Sequence, residues 1–315
     1  MNAILPEASI LSVVKIESTG STTLKKFRHD LGESPHQAND VGKVGREWLI
    51  EVLDANALNY IYNFVNSSSK ALLVRGISLN TNVATPRTGF LSDDLCVLDF
   101  DLLHFGMLSL LGIKPHSVDY ENNGKLVRNV VPVEEALMTT SSWGADVDFS
   151  WHTDNPNWPF ISSTGDVSNC VPRFLAFMSV KNGERASTDI TCVDCLLRKL
   201  PKWAISELQK PSYTFGAPVS NEGISGEKKI LPLVEKFEQG YYLRFDEGIV
   251  EAIHRDGKRA LNALRECLNK TDGISIILNP GDFFIFKNTQ VLHRRKAFKP
   301  LANGEARWLR RVYGS

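Results

Sequence analysis

The sequence from Gly124 onward most constrains the fold, because short apolar runs alternate there with turn residues. Runs of this length and composition predict strands. They are KLVRNVVPV (125–133), VDFSWHTD (147–154), RFLAFMSV (173–180), STDITCV (187–193), GYYLRF (240–245), GISIIL (273–278), FFIF (283–286), VLHRRKAF (291–298) and RWLRRVY (307–313). Many short strands with Pro- and Gly-containing turns are typical of a sandwich or barrel. The turn NPGD (279–282) before FFIF is a common jelly-roll hairpin pattern.

Helical patterns flank this strand-rich region. Residues 42–65 predict one or two amphipathic helices, and Asp54 can start the second. The apolar, Leu-rich residues 93–113 indicate a buried helix. Further predictions are helices at 195–209 and at 256–270, the latter with Asp256 as N-cap, and a buried strand at 71–77.

These patterns predict an α+β chain with one domain over residues 1–315. No internal repeat, low-complexity segment or linker divides the sequence. We expect residues 1–40 to be an N-terminal extension packed on the domain. Residues 71–315 would supply flanking helices and a jelly-roll core.

Charge and hydropathy argue against two classes of partner. Lys+Arg and Asp+Glu both number 36, so the formal net charge is zero, which disfavours nucleic acid and anionic membranes. No apolar run approaches the roughly 18 residues of a membrane span. Pro6 and Glu7 interrupt an N-terminus without a basic region, so no signal peptide is expected.

The cysteines predict thiols rather than a disulfide framework, because they are sparse and number five. Cys192 and Cys195 form a lone C-x-x-C, without the second pair that a structural zinc site needs. We expect two buried or half-buried thiols at a helix start, and a reducing, cytoplasmic compartment.

His152 and Asp154 lie one residue apart in the aromatic stretch FSWHTDNPNWPF (149–160). Side chains at i and i+2 of a strand share a face, so both can reach one point. An imidazole and a carboxylate are two-thirds of the 2-His-1-carboxylate triad, which binds non-heme Fe(II) and leaves three positions open. H-x-D alone also arises by chance.

The third ligand would have to be another histidine. His293 is the best candidate, because it starts the strand-like VLHRRKAF, and a late jelly-roll strand can lie beside the strand of His152. The other histidines lie in loops or helical stretches and are better interpreted as surface or satisfied core residues: His29, His36, His104, His116 and His254.

Arg307 and Arg311 are four residues apart in RWLRRVY and would share one face of a strand. If that face looks into the core, the two buried guanidinium groups need partners. Carboxylates of a dicarboxylate cosubstrate and of a substrate would suit them, because arginine donates two parallel hydrogen bonds. A pair of solvated arginines remains the alternative.

With His152, Asp154, His293 and Arg307 in order, the chain resembles the Fe(II)/2-oxoglutarate-dependent oxygenases. It is most similar to their clavaminate synthase-like branch, which includes hydroxylases of free arginine, asparagine and lysine. The resemblance runs from about Leu72 to Tyr313. It is carried by LLVRGI, the PRTG loop, VRNVVPV, FSWHTD, NGERASTDI, PGDFFIF, and VLHRRKAF followed by RWLRR.

The resemblance implies a double-stranded β-helix (jelly roll) and a role for each matching residue. His152, Asp154 and His293 would hold iron, and Arg307 would bind the far carboxylate of 2-oxoglutarate. Thr188, rather than Ser187, would help to bind the cosubstrate, and Arg311 would face the substrate or support the cosubstrate. Asp246 would bind the polar end of the substrate; the alternative for it is a helix or turn cap. Asn129 and Ser142 would lie near the substrate.

The implied reaction consumes O2 and 2-oxoglutarate, releases succinate and CO2, and hydroxylates an unactivated C–H bond of a free polar α-amino acid. The aromatic side chains of Phe149, Trp151, Trp158 and Phe160 would shelter the iron. Asp154 argues against halogenation, since halogenases of this fold lack the carboxylate. It also departs from the branch, which often has glutamate there, and residues 155–174 look longer than usual and would form a pocket wall or lid.

Three alternatives stay open at this point. The same cofactors serve desaturation or cyclisation, or act on a carrier-bound or peptide substrate. A jelly-roll protein can also hold a metal or ligand without turnover. A plain scaffold with a fortuitous H-x-D would show no metal-dependent oxygen uptake.

Overall fold

A computed structural model describes residues 10–16, 24, 27, 31, 37–79, 82–161, 165, 167–216 and 229–315. The early strands are β1 (Leu11–Lys15), β2 (Ala71–Arg75), β3 (Pro115–His116), β4 (Arg128–Val130), β5 (Phe149–His152), β6 (Phe174–Lys181), β7 (Ser187–Cys192) and β8 (Tyr213–Phe215). The later ones are β9 (Lys229–Leu231), β10 (Val234–Phe237), β11 (Gly240–Leu243), β12 (Val250–Ala252), β13 (Ile274–Ile277), β14 (Phe283–Lys287), β15 (Val291–Arg295) and β16 (Trp308–Gly314). The helices are α1 (Ala38–Val52), α2 (Ala55–Asn63), α3 (Leu98–Leu110), α4 (Val193–Leu197), α5 (Lys202–Leu208) and α6 (Arg255–Asn269).

Two sheets face each other across a shared core. The larger has the order β1-β2-β14-β6-β16-β3, with β4 also paired to β16, and the smaller has the order β13-β7-β15-β5. Leu175 and Phe284 of the larger sheet lie in one apolar cluster with Ile190 and Val291 of the smaller. Strand β6 is buried along its whole length, as its nearly continuous apolar sequence FLAFMSVK requires.

Helices cover the outer face of the larger sheet. The other half of each strand's side chains, such as Ala176 and Met178 of β6, packs there with α1 and α3. Helix α3 is apolar nearly all round, which explains why it is buried between α1 and the sheet. A second apolar cluster joins α4, α5 and α6 to the small sheet β12-β8-β9 and to the outer face of β5.

Helices α1 and α3 approach closely because glycine lies on both. A Cβ on Gly45 would lie 2.0 Å from the carbonyl oxygen of Leu102, and one on Gly106 would lie 2.5 Å from the carbonyl carbon of Gly45. The helix backbones therefore pack without intervening side chains.

Gly45→Ala is expected to destabilise the fold by about 1–3 kcal/mol, because the helices must separate to admit a methyl group. This exceeds the gain in helix propensity of up to about 1 kcal/mol. Urea unfolding would measure it. Gly42→Ala is the matched control: its Cβ would lie 3.2 Å from the carbonyl oxygen of Phe105, so its loss should be smaller. Equal stability of Gly45→Ala and wild type would contradict the close-packing account.

Most predicted elements are present with different bounds, but residues 195–209, predicted as one helical stretch, form the two helices α4 and α5, and Pro201 is the N-cap of α5. Residues 42–65 form two helices, and Asp54 caps the second by accepting from the backbone N–H of Ala57 at 2.8 Å. The N-cap prediction for 256–270 was wrong: α6 starts one residue earlier, and His254 is its N-cap. NPGD is not a hairpin turn, because β13 and β14 belong to different sheets and the chain crosses between them. Strands β1, β3, β8, β9, β10 and β12 were not predicted.

Two smaller predictions concern cysteines and the membrane. None of the five cysteines forms a disulfide, and Cys192 is buried and Cys195 half-buried at the start of α4, as predicted. Among the described residues, no helix combines the length and apolar character needed to cross a membrane.

Candidate metal centre and its pocket

His152 and His293 lie directly opposite each other on the antiparallel strands β5 and β15. Their Nε2 atoms are 3.6 and 3.4 Å from Oδ1 of Asp154. One ligand atom from each of the three residues lies within 4.8 Å of the others, at the bottom of a pocket. Two imidazoles and one carboxylate converging on one side of a cavity fit the Fe(II) triad and leave the other side open.

The protonation of both imidazoles suits a metal. Nδ1 of His152 lies 2.7 Å from the carbonyl oxygen of Ser150, which can only accept, so Nδ1 carries a proton and the neutral form of the ring presents the Nε2 lone pair to the pocket. Burial, together with His152 and Arg311 nearby, holds the pKa of His293 well below its usual range. A neutral imidazole is the ligand form.

Asp154 lies two residues beyond the end of β5, and the backbone around it is fixed from two sides. The N–H of Thr153 donates to the carbonyl of Phe245 at 2.8 Å. The buried amide of Asn288 accepts from the N–H of Asp154 at 3.1 Å and donates to its carbonyl at 3.2 Å. Asn288 was not predicted, because a single asparagine in a turn carries no pattern.

The second carboxylate oxygen of Asp154 belongs to a buried charge network. Arg311 donates to it from Nη1 at 2.9 Å and to Oε1 of Glu121 from Nη2 at 2.7 Å. Tyr313 donates to Oε2 of Glu121 at 2.6 Å, and Nη1 of Arg128 lies 3.3 Å from Oε1. Arg311 thus lines the pocket but already has two carboxylate partners. Glu121, which the sequence did not single out, is the centre of the network.

Arg307 is a buried cation without an ion-pair partner among the residues that the structure describes. It is 4% exposed, lines the pocket, and donates from Nη2 to the hydroxyl of Thr188 at 3.1 Å. Among the described residues, no carboxylate lies within ion-pair distance of its guanidinium, and burial lowers its pKa to about 9. A buried, unpaired cation beside a metal site is suited to an anionic ligand.

The remaining predicted residues divide between two sides of the sheet. Asp246 and Ser142 line the pocket. One oxygen of Asp246 caps a turn by accepting from the N–H of Gly248 at 2.8 Å, and the Ser142 hydroxyl accepts from Nε of Arg128 at 2.8 Å. The Asn129 side chain does not line this pocket; it bonds Trp308, Arg310 and the Gly89 carbonyl on the helix-covered side. Successive residues of β4 face opposite sides of the sheet, and the side chain of Asn129 lies on the side away from the pocket.

The aromatic shelter was predicted only in part. Phe149 stacks on His152 with ring centres 3.8 Å apart and lines the pocket. Trp151 faces the other way, under the guanidinium of Arg294. Trp158 stacks on Tyr120, and Phe160 packs against Arg244, both outside the pocket lining. Phe177, with its ring 6.4 Å from that of His293, takes part instead.

The pocket encloses about 1010 Å³ including its open mouth, and Asn155 and Pro156 form part of its wall. This agrees with a wall role for the start of 155–174; residues 162–164 and 166 lie outside the described residues. Of the histidines set aside, His104 is buried between Phe105 and Phe283, and His254 caps α6. His29 and His36 lie outside the described residues.

Known proteins resemble the chain in sequence. Residues 197–313 match the family described as taurine catabolism dioxygenase TauD, TfdA family. An L-asparagine oxygenase from Streptomyces coelicolor is 26% identical over 197 residues, covering 61% of this chain and 55% of that protein. An enduracididine beta-hydroxylase from Streptomyces hygroscopicus is 22% identical over 237 residues, covering 67% and 66%. The chain thus aligns with about half to two-thirds of the length of these relatives.

Solved structures show the same fold. A structure of asparagine oxygenase in complex with Fe(II), 2S,3S-3-hydroxyasparagine and succinate superposes with a TM-score of 0.77 at 21% identity, covering 95% of this chain and 92% of that one. The non-heme iron oxygenase OrfP in complex with Fe and alpha-ketoglutaric acid also gives 0.77, at 18% identity and coverages of 96% and 93%. These relatives confirm the resemblance found in the sequence.

Proposed function

From the kinship of the chain to the Fe(II)/2-oxoglutarate-dependent oxygenases, we propose that it hydroxylates an unactivated C–H bond of a free polar α-amino acid and releases succinate and CO2. The observation that carries the proposal is one pocket holding both the His152, Asp154 and His293 cluster and the unpaired guanidinium of Arg307. A metal site and a buried cation are what a chelating dicarboxylate needs at its two ends.

The donor set fits iron, and the rest of the pocket fits its cosubstrate. His152, Asp154 and His293 would hold Fe(II), which with O2 and 2-oxoglutarate supplies the oxidising chemistry when bound. Arg307 and Thr188 would fix the far carboxylate of 2-oxoglutarate. The protein contributes position and exclusion of water: Phe149 and Phe177 pack against the two histidines, and the pocket walls orient the substrate.

The substrate end would be the polar wall with Asp246, Ser142 and Arg311, beside Glu121. Mixed charge on this wall suits a zwitterion with a polar side chain. Asn129 is left out of the proposed contacts, because its side chain lies on the other face of the sheet. The relatives named above act on asparagine and enduracididine, which supports an amino acid as the substrate class.

The proposal includes three further expectations, which concern the fold, the domain organisation and the compartment. The two facing sheets would be the double-stranded β-helix. Residues 1–315 would form a single oxygenase domain, with β1 of the N-terminal extension paired in parallel to β2 of the larger sheet. The cytoplasm would be the compartment, which is consistent with five cysteines that form no disulfide.

The test is an anaerobic titration of the protein with Fe(II) and then 2-oxoglutarate. We expect a weak metal-to-ligand charge-transfer band in the visible, and its perturbation by the amino acid that is the substrate. Zn(II) in place of Fe(II) is the control and should give no band. Folded protein that binds Fe(II) but gives no band with 2-oxoglutarate would leave a metal-binding protein without this activity.

A further inference from the structure

Arg295 lies two residues after His293 on β15 and is a charged residue of the pocket. Residues i and i+2 of a strand share a face, so Arg295 faces the same side as His293. It lines the pocket and is 6% exposed. None of the roles proposed above uses it.

The contacts of Arg295 satisfy only part of its guanidinium. Nη1 donates to the carbonyl of Ala145 at 3.2 Å and to that of Lys296 at 3.3 Å. Nη2 is buried and has no hydrogen-bond partner among the described residues. Among the described residues, no carboxylate lies within ion-pair distance of the Arg295 guanidinium.

Arg295 and Arg307 share one neighbourhood. Their guanidinium carbons lie 5.3 and 6.0 Å from the centre of the same Phe298 ring. The charge on Arg295 is itself one cause of the lowered pKa of Arg307. Two buried cations repel each other, and each costs several kcal/mol to desolvate unless an anion compensates. A ligand that places a carboxylate beside this pair compensates part of their charge, whereas a ligand whose only carboxylate lies at the metal compensates neither.

We propose that Arg295 is a specificity-determining residue that, with Arg307, reads the far carboxylate of the cosubstrate, so that the site selects dianionic over monoanionic 2-oxo acids. The inference rests on the proposed function. Both classes of acid can chelate the metal through the 1-carboxylate and the 2-oxo group. A difference in affinity between the two classes of acid therefore reports on the interactions of the far carboxylate.

Arg294 provides a matched control in the next position. It faces the opposite side of β15, where Nε donates to Oδ2 of Asp189 at 3.0 Å and Nη2 donates to the carbonyl of Asp272 at 2.9 Å. Its guanidinium also stacks on Trp151, 4.3 Å from the ring centre. It has the same chemistry as Arg295, but its charge is paired.

The experiment measures dissociation constants of 2-oxoglutarate and of 2-oxopentanoate, which lacks the far carboxylate, for the anaerobic Fe(II)-loaded protein by calorimetry. Wild type should prefer 2-oxoglutarate. Arg295→Gln should reduce that preference roughly 10-fold, since it removes one of two cations facing the carboxylate. Arg294→Gln should leave the ratio unchanged, and Arg295→Lys should retain most of it, because the charge remains.

Each other outcome overturns the inference. If Arg295→Gln weakens both acids equally, the residue acts only by holding the Ala145 carbonyl. If Arg295→Gln does not fold, Arg295→Lys decides: loss of preference with the charge intact would again show that the hydrogen bond matters and the charge does not. Wild type that binds Fe(II) but neither acid would remove the proposed function as well, which distinguishes that failure from loss of the Arg295 role alone.

Discussion

Replacing His293 with alanine is expected to weaken Fe(II) binding roughly 100-fold or more, because second-sphere changes alone cost 10- to 100-fold and this change removes a ligand. His152 on β5 and Asp154 just beyond its end would remain, but they leave the metal open on the β15 side. Anaerobic calorimetry with Fe(II), or with Co(II) as a spectroscopic probe, would measure the loss.

The fold should tolerate this change better than the metal site does. The imidazole packs against the Phe286 ring, 5.0 Å away, so its removal leaves a cavity costing about 1–3 kcal/mol. His254→Ala is the control: it removes a helix cap outside the pocket and should leave metal affinity unchanged. Wild-type affinity in folded His293→Ala would show that the triad is wrongly assigned.

Glu121→Gln is expected to destabilise the protein by about 3–5 kcal/mol, because it removes a buried charge without removing its partners. Among the described residues, Asp154 would then be the remaining carboxylate that acts on both Arg128 and Arg311. Arg311 would pair more strongly with Asp154, and this competition should lower metal affinity about 10- to 100-fold. Urea unfolding and metal titration would measure the two effects separately.

Tyr313→Phe is the matched control for the charge of Glu121. It removes one hydrogen bond to the same carboxylate and keeps both ion pairs, so a loss of about 1–2 kcal/mol with near wild-type metal affinity is expected. If Glu121→Gln and Tyr313→Phe cost the same, the charge of Glu121 would contribute nothing beyond its hydrogen bonds, and the network account would fail.

The clustering of His152, Asp154 and His293 was predictable because few residue types can ligate iron, and H-x-D with one well-placed histidine leaves little choice. Glu121, Asn288 and Arg295 escaped prediction for the opposite reason. Each is a common residue type, and each acquires its role from partners far away in the chain: Glu121 meets Arg311 190 positions later. Pairing between strands decides such contacts, and no local pattern records it.

Element predictions failed where tertiary contacts override local patterns. NPGD has the composition of a tight turn, and it does turn, but into the other sheet. Asp256 is a good N-cap by type, yet the imidazole of His254 accepts from the N–H of Gly257 at 3.1 Å and caps α6 two residues earlier in the chain. The short strands β8 and β9 form a sheet packed against α5 and α6, without enough alternation to be recognised.

Strand β6 is flanked in the larger sheet by β14 and β16, both of which come more than a hundred positions later in the chain. During synthesis at about 5–20 residues per second, roughly 5–20 s therefore pass between the synthesis of β6 and that of the first strand that pairs with it. Both edges of this apolar strand are unpaired during that time. An apolar strand with unpaired edges can form incorrect β-sheet pairs with other nascent chains. Yield in the cell should therefore depend on holdase capacity and growth temperature more than the final stability of the sheet would suggest.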